Sequence, residues 1–155
     1  MPFERLYYHI VWATSHREPM IVEAIEGAVY KAIGDKAKSL GGKVFAVGGA
    51  EDHVHMAGSI PPTIAVANFI SQVKGASAYH INHVPQGEHR LHWQRGYGVL
   101  SFSRDHLDRV VKYIKGQKEH HKGGKLWTSL EECGEETARK PMIVREDHTD
   151  YDPFA

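Results

Sequence analysis

Two helix-like stripes flank a pair of short β-like runs with no helix between them. This arrangement constrains the chain more than any other feature of its sequence. Leu6–Thr14 (LYYHIVWAT) is dense in aromatic and β-branched residues, the composition of a strand. Val22–Leu40 then carries apolar residues at Val22, Ile25, Val29, Ala32, Ile33 and Leu40, a helical stripe closed by Gly41-Gly42. Lys43–Gly48 reads as a second strand, Gly49–Asp52 as a turn and His53–Ser59 as a third strand, so the two form a hairpin. Pro61-Pro62 stops the third strand and Thr63 is placed to cap a second helix. That helix runs to about Asn82, with Val66, Phe69, Ile70 and Val73 on one face. Residues 83–95 are irregular, and Gly96–Phe102 reads as a fourth strand. Ser103 is placed to cap a last helix reaching about His121, striped by Leu107, Val110, Val111 and Ile114 and stopped at Gly123-Gly124.

The order β-α-β-β-α-β predicts an α+β fold of ferredoxin-like form: an antiparallel sheet with two helices on one face. The other face is left bare, and the extra C-terminal helix is available to cover part of it. At 155 residues the chain is one domain's worth and long enough for a sizeable core. The expected division is a domain over 1–125 and an acidic tail over 126–155, packing on the domain or extending from it.

Composition narrows the classes of function. Net charge is zero, from 19 basic and 19 acidic residues. Residues 131–155 hold eight acids and three bases, so the remainder carries 16 bases and 11 acids, a net +5. A mildly basic body is compatible with nucleic acid as a partner. The apolar runs are too short for a membrane-spanning helix, and the start has no signal-peptide pattern. A single cysteine, Cys133, excludes an internal disulfide and a Cys-rich zinc site. A cytoplasmic protein without a membrane partner is expected.

His53-Val54-His55 is the first chemical signal. Strand alternation puts both imidazoles on one face and Val54 and Met56 on the other. Two such histidines can hold one metal ion. Twelve histidines make roughly one His-x-His pair expected by chance, so the pair needs independent support. Tyr113 and Gln117 supply some, because residues four apart share a helix face. They sit on the flank of the apolar stripe, roughly 70–110° from its centre, where half-burial is expected. Two histidines and an amide oxygen would leave coordination positions open for a phosphate, and a tyrosine beside them is a candidate nucleophile.

Glu51-Asp52-His53-Val54-His55-Met56 resembles the signature of the HUH-tyrosine transposases, the single-strand DNA transposases of the "IS-two-hundred" kind, with their REP-associated relatives. Tyr8–Thr14 followed by Arg17 is similar to that family's first strand, and Phe69–Ser77 to its second helix. Trp93–Tyr97 is similar to the start of its fourth strand, and Lys112–Gln117 to its catalytic helix. The segments keep the family's order over about residues 6–120. The resemblance implies that His53, His55 and Gln117 are metal ligands and Tyr113 the nucleophile. It implies Mg²⁺ or Mn²⁺ as the cofactor. It further implies a 5′-phosphotyrosine intermediate in the cleavage and rejoining of single-stranded DNA, hairpin ends of a mobile element as substrate, and a homodimer.

Lys74, Arg95, Arg104, Lys112, Lys115 and Lys118 are candidate phosphate contacts. Trp93, Tyr97 and Trp12 are candidate base-stacking residues, Trp12 being better suited to a core. Asp52 is placed either to orient a histidine ligand or to close the hairpin. Three other readings compete. One is a domesticated or inactive relative acting as a nucleic-acid-binding module. Another is an RNA-recognition sheet, whose aromatic motifs are replaced here by His53 and His55. The last is a zinc hydrolase with His9 as third ligand.

Overall fold

The computed structural model describes residues 3–84, 87 and 89–117. Its main elements are β1 (Tyr7–Ala13), α1 (Glu23–Ser39), β2 (Lys43–Gly49), β3 (His53–Ser59), α2 (Val66–Asn82), β4 (Gly98–Phe102) and α3 (Leu107–Lys115). The sheet order is β2-β3-β1-β4 with every pairing antiparallel. This is the expected α+β arrangement.

Alternation along the strands divides two cores. Ile10 and Trp12 of β1 and Val54 and Met56 of β3 face α1 and α2. There they meet Ile25, Val29 and Ile33 of α1 and Phe69, Ile70 and Val73 of α2. Burying each of these larger side chains is worth about 1.5–3 kcal/mol. On the opposite face, Ala46 and Ala57 pack against Val110 and Ile114 of α3. A register shift in β2 between Val44 and Ala46 makes Phe45 a bulge. That extra residue lets both Val44 and Val47 pack on the main core.

Two helix starts differ from expectation. Thr63 does not cap α2: Ile64 N–H donates to Pro61 O (3.1 Å), closing a turn through Thr63, and Ala65 stands at the cap. Ser103 precedes a single 3₁₀ turn, Arg104–His106, and α3 begins after it at Leu107. The Ser103 hydroxyl bonds to His106 Nδ1 (2.9 Å) instead of a backbone N–H. The helix end near His121, the Gly123-Gly124 stop, Lys118, Cys133 and the acidic tail lie outside the described residues.

Gly48 decides how closely α3 approaches the sheet. A Cβ built there would lie 2.5 Å from the Ile114 carbonyl oxygen, so only hydrogen fits. Gly34 on α1 is the opposite case, with open space where its Cβ would go. Gly48→Val should therefore lower unfolding stability by about 1–3 kcal/mol through overpacking. Gly34→Ala should raise it by about 0.5–1 kcal/mol. Urea titrations of the two variants check this, and equal signs would contradict the packing.

Candidate active site

Inversion along β3 delivers the two histidines. With Val54 and Met56 committed to the main core, His53 and His55 must face α3. Both are fully buried. β1 supplies their neighbours, Ala13 opposite His53 and Val11 opposite His55.

Helix α3 brings Tyr113 to the same place. Its ring meets that of His55 edge-on, with centroids 5.9 Å apart at 81°. Tyr113 and Gln117 are 2% and 1% exposed, so half-burial is corrected to full burial. The Gly48 contact presses α3 so near the sheet that the flank of its apolar stripe is covered as well. All these groups belong to one chain, so Tyr113 lies against its own chain's histidines.

The hydrogen bonds fix which nitrogen does what. Asp52 Oδ1 accepts from His53 Nδ1 at 2.7 Å. The hydrogen bond from His53 holds the Asp52 carboxyl below its usual range; burial opposes the lowering and the nearby Arg17 charge adds to it. An ionised carboxylate only accepts, so the hydrogen is on His53 Nδ1. His53 Nε2 then faces Gln117 Oε1 at 3.2 Å. The amide cannot be the other way round, because Gln117 Nε2 donates to Tyr113 O at 3.2 Å.

His53 and Gln117 therefore meet through His53 Nε2 and the Gln117 amide oxygen. A proton on Nε2 makes this contact a hydrogen bond, and a cation could take its place between the same two atoms. This donor set fits a divalent cation, and mixed imidazole and amide ligands suit Mn²⁺ somewhat better than Mg²⁺.

His55 is held from its other nitrogen. His9 Nε2 lies 2.8 Å from His55 Nδ1, and the two rings stack at 5.0 Å and 9°. With His55 as the donor, His55 Nε2 keeps its lone pair for a cation. His9 Nε2 is thereby engaged by a neighbouring ring. Among the described residues no three His, Cys, Asp or Glu side chains gather in a metal-binding group.

The outlying candidates fall in different places. Lys74 Nζ donates to the carbonyls of Gln94 (2.6 Å) and Gly96 (3.1 Å), tying the approach to β4 onto α2. Arg95, Arg104, Lys112 and Lys115 are exposed. Trp12 is a core residue, and Trp93 packs edge-on against it at 5.8 Å with its Nε1 donating to Ser77 Oγ (3.1 Å). Tyr97 is partly buried against the main core. Sequence reasoning missed two contacts: the His9–His55 bond and the Arg17–Asp52 pair at 3.4 Å. Strand parity alone could have found the first, since His9 shares the face of Val11, the partner of His55.

Comparison with known proteins agrees with this architecture. Residues 2–117 match the protein family described as "Transposase IS200 like". The chain is 29% identical over 118 residues to the ISDra2 transposase TnpA of Deinococcus radiodurans, covering 73% of this chain and 84% of that protein. It is also 29% identical to the transposase for insertion sequence element IS200 of Salmonella typhimurium, covering 76% and 80%. A crystal structure of a provisionally assigned transposase from Deinococcus radiodurans R1 superposes with a TM-score of 0.57 at 27% identity, covering 76% of this chain and 98% of that one. A REP-associated tyrosine transposase bound to a REP hairpin shares the fold, with a TM-score of 0.57 at 12% identity, covering 81% and 76%.

The lowered Asp52 value makes a pH prediction. A carboxyl depressed in the folded state adds stability above its ordinary value of 3.8, and that stability is lost as pH falls through the depressed value. Asp52→Asn removes the titration. Its stability should fall less steeply than wild type below about pH 4 in urea-unfolding series. Identical acid limbs would contradict this.

Proposed function

The chain belongs to the IS200-like transposase family, and from that premise we propose that it cleaves and rejoins single-stranded DNA through Tyr113. The proposed centre holds a divalent cation, Mg²⁺ or Mn²⁺, on His53, His55 and Gln117. The facing of His53 Nε2 and Gln117 Oε1 at 3.2 Å, with Tyr113 one helical turn from that amide, carries the reading.

Bound there, the cation would neutralise charge growing on the scissile phosphate and favour the phenolate of Tyr113. The residues of the chain do the rest. Asp52 and His9 hold the outer nitrogens of the two histidines, so both rings enter the reaction already oriented. Burial of Tyr113 against His55 keeps the phenol beside the ligands and limits access of water. Its oxygen attacks phosphorus, the bond to the 3′ oxygen breaks, and that oxygen leaves as a hydroxyl after taking up a proton. The phosphate remains on Tyr113 as a 5′-phosphotyrosine. Attack by a 3′-hydroxyl on that link reverses the sequence, rejoining DNA and freeing the phenol.

Single-stranded DNA with hairpin ends of a mobile element is the proposed substrate. Rejoining two ends needs two cleaved strands held together, which favours a homodimer as the working unit. Light scattering after size exclusion checks the dimer, and a monomer both free and DNA-bound would contradict it.

Tyr113→Phe should abolish the covalent protein–DNA band on a denaturing gel while leaving single-strand binding within about threefold of wild type. That margin amounts to less than 1 kcal/mol. Chelation of divalent cations should remove the band from wild type too. A band that survives the substitution would identify a different nucleophile.

A further inference from the structure

The turn that leaves β1 has a backbone that most side chains avoid. His16 and Arg17 have φ of 55° and 56°, the two positive-φ residues other than glycine among the described residues. His16 is of a type that tolerates that region, as Asn and Asp do, but Arg17 is not. Such conformations persist only where the surroundings over-determine them, and they collect at functional sites.

Several of the bonds that hold this turn lead to Asp52. Thr14 N–H donates to Asp52 O (2.8 Å). The Thr14 hydroxyl shares its hydrogen between Glu18 O (2.6 Å) and Asp52 O (3.1 Å). Arg17 N–H closes the turn onto Thr14 O (3.0 Å) and Ile21 N–H donates to Glu51 O (2.9 Å). The backbone of Asp52 is therefore anchored to the turn. Arg17 then returns its side chain to the same residue, with Nε 3.4 Å from Asp52 Oδ2. The two carboxylate oxygens are divided: Oδ1 receives His53 Nδ1–H and Oδ2 faces Arg17.

We propose that Arg17 is a positioning residue for the cation centre. Its guanidinium fixes the rotation of the Asp52 carboxylate. That carboxylate fixes the His53 tautomer and ring plane, and so aims His53 Nε2 at the cation. An ion pair whose side chains are 48% and 32% exposed adds little to stability, so orientation is what it has to offer. The backbone supports this: glycine would suit position 17 better, yet would carry no guanidinium. The inference rests on the cation centre proposed above.

The test uses metal-free full-length protein without DNA, titrated with Mn²⁺ and followed by electron paramagnetic resonance. Arg17→Gly keeps the left-handed backbone and removes the cation of the side chain. It should unfold at or above the wild-type midpoint, yet bind Mn²⁺ at least about tenfold more weakly, the usual scale for losing an outer partner of a ligand. Arg17→Lys should recover most of that loss. Asp52→Asn should lose a similar factor, and the double variant Arg17→Gly/Asp52→Asn no more than the larger single loss, because both act through one carboxylate. Wild-type Mn²⁺ affinity in Arg17→Gly would overturn the positioning role, as would additive losses in the double variant. If, in a separate titration with single-stranded DNA, Arg17→Gly kept its Mn²⁺ affinity but bound DNA more weakly, Arg17 would instead be a phosphate contact. Wild type that binds no Mn²⁺ would overturn the cation centre itself.

Discussion

Helix α3 rests on the sheet at a point where nothing larger than hydrogen fits between Gly48 and the Ile114 carbonyl. The site depends on that contact. The two halves of the centre are separated by 64 residues, His53 on β3 and Gln117 after α3, and their atoms meet at 3.2 Å. A helix held one side chain farther out would leave Tyr113 and Gln117 on the rim of a groove. Pressed in by Gly48, both are buried and the amide reaches the imidazole. The packing is the ordinary business of Ala46, Ala57, Val110 and Ile114. Its product is a polar cluster that only a few geometries allow.

That cluster has an inside and an outside. The outer nitrogens of His53 and His55 are held by Asp52 and His9. The inner side gathers His53 Nε2 and the Gln117 amide oxygen, 3.2 Å apart. Buried polar atoms are costly unless paired, and these two meet each other. Membership of the IS200-like transposase family is consistent with placing this at a DNA-processing centre.

Much of this was legible in the sequence. Alternation over His53–Ser59 placed Val54 and Met56 in the core and the histidines opposite, because strand parity leaves no third choice. Punctuation by Gly41-Gly42 and Pro61-Pro62 separated the elements within a few residues. Caps were less legible: Thr63 looks like a helix start, but the Pro61–Ile64 turn consumes it and α2 begins at Val66. The burial of Tyr113 and Gln117 was misjudged because helical periodicity measures angle around an axis and not the distance of that axis from a sheet. The missing Cβ of Gly48, 66 residues from Ile114, sets that distance together with the small Ala46 and Ala57. The Arg17–Asp52 pair spans 35 positions and no local pattern announces it, whereas strand parity could have placed His9 beside His55.

The most direct test of this account is anomalous diffraction from crystals soaked in Mn²⁺. The account predicts one strong peak bonded to His53 Nε2 and Gln117 Oε1, with His55 coordinating through Nε2 and His9 outside the coordination sphere. A peak bonded to His9, or one that leaves Gln117 uncoordinated, would contradict it.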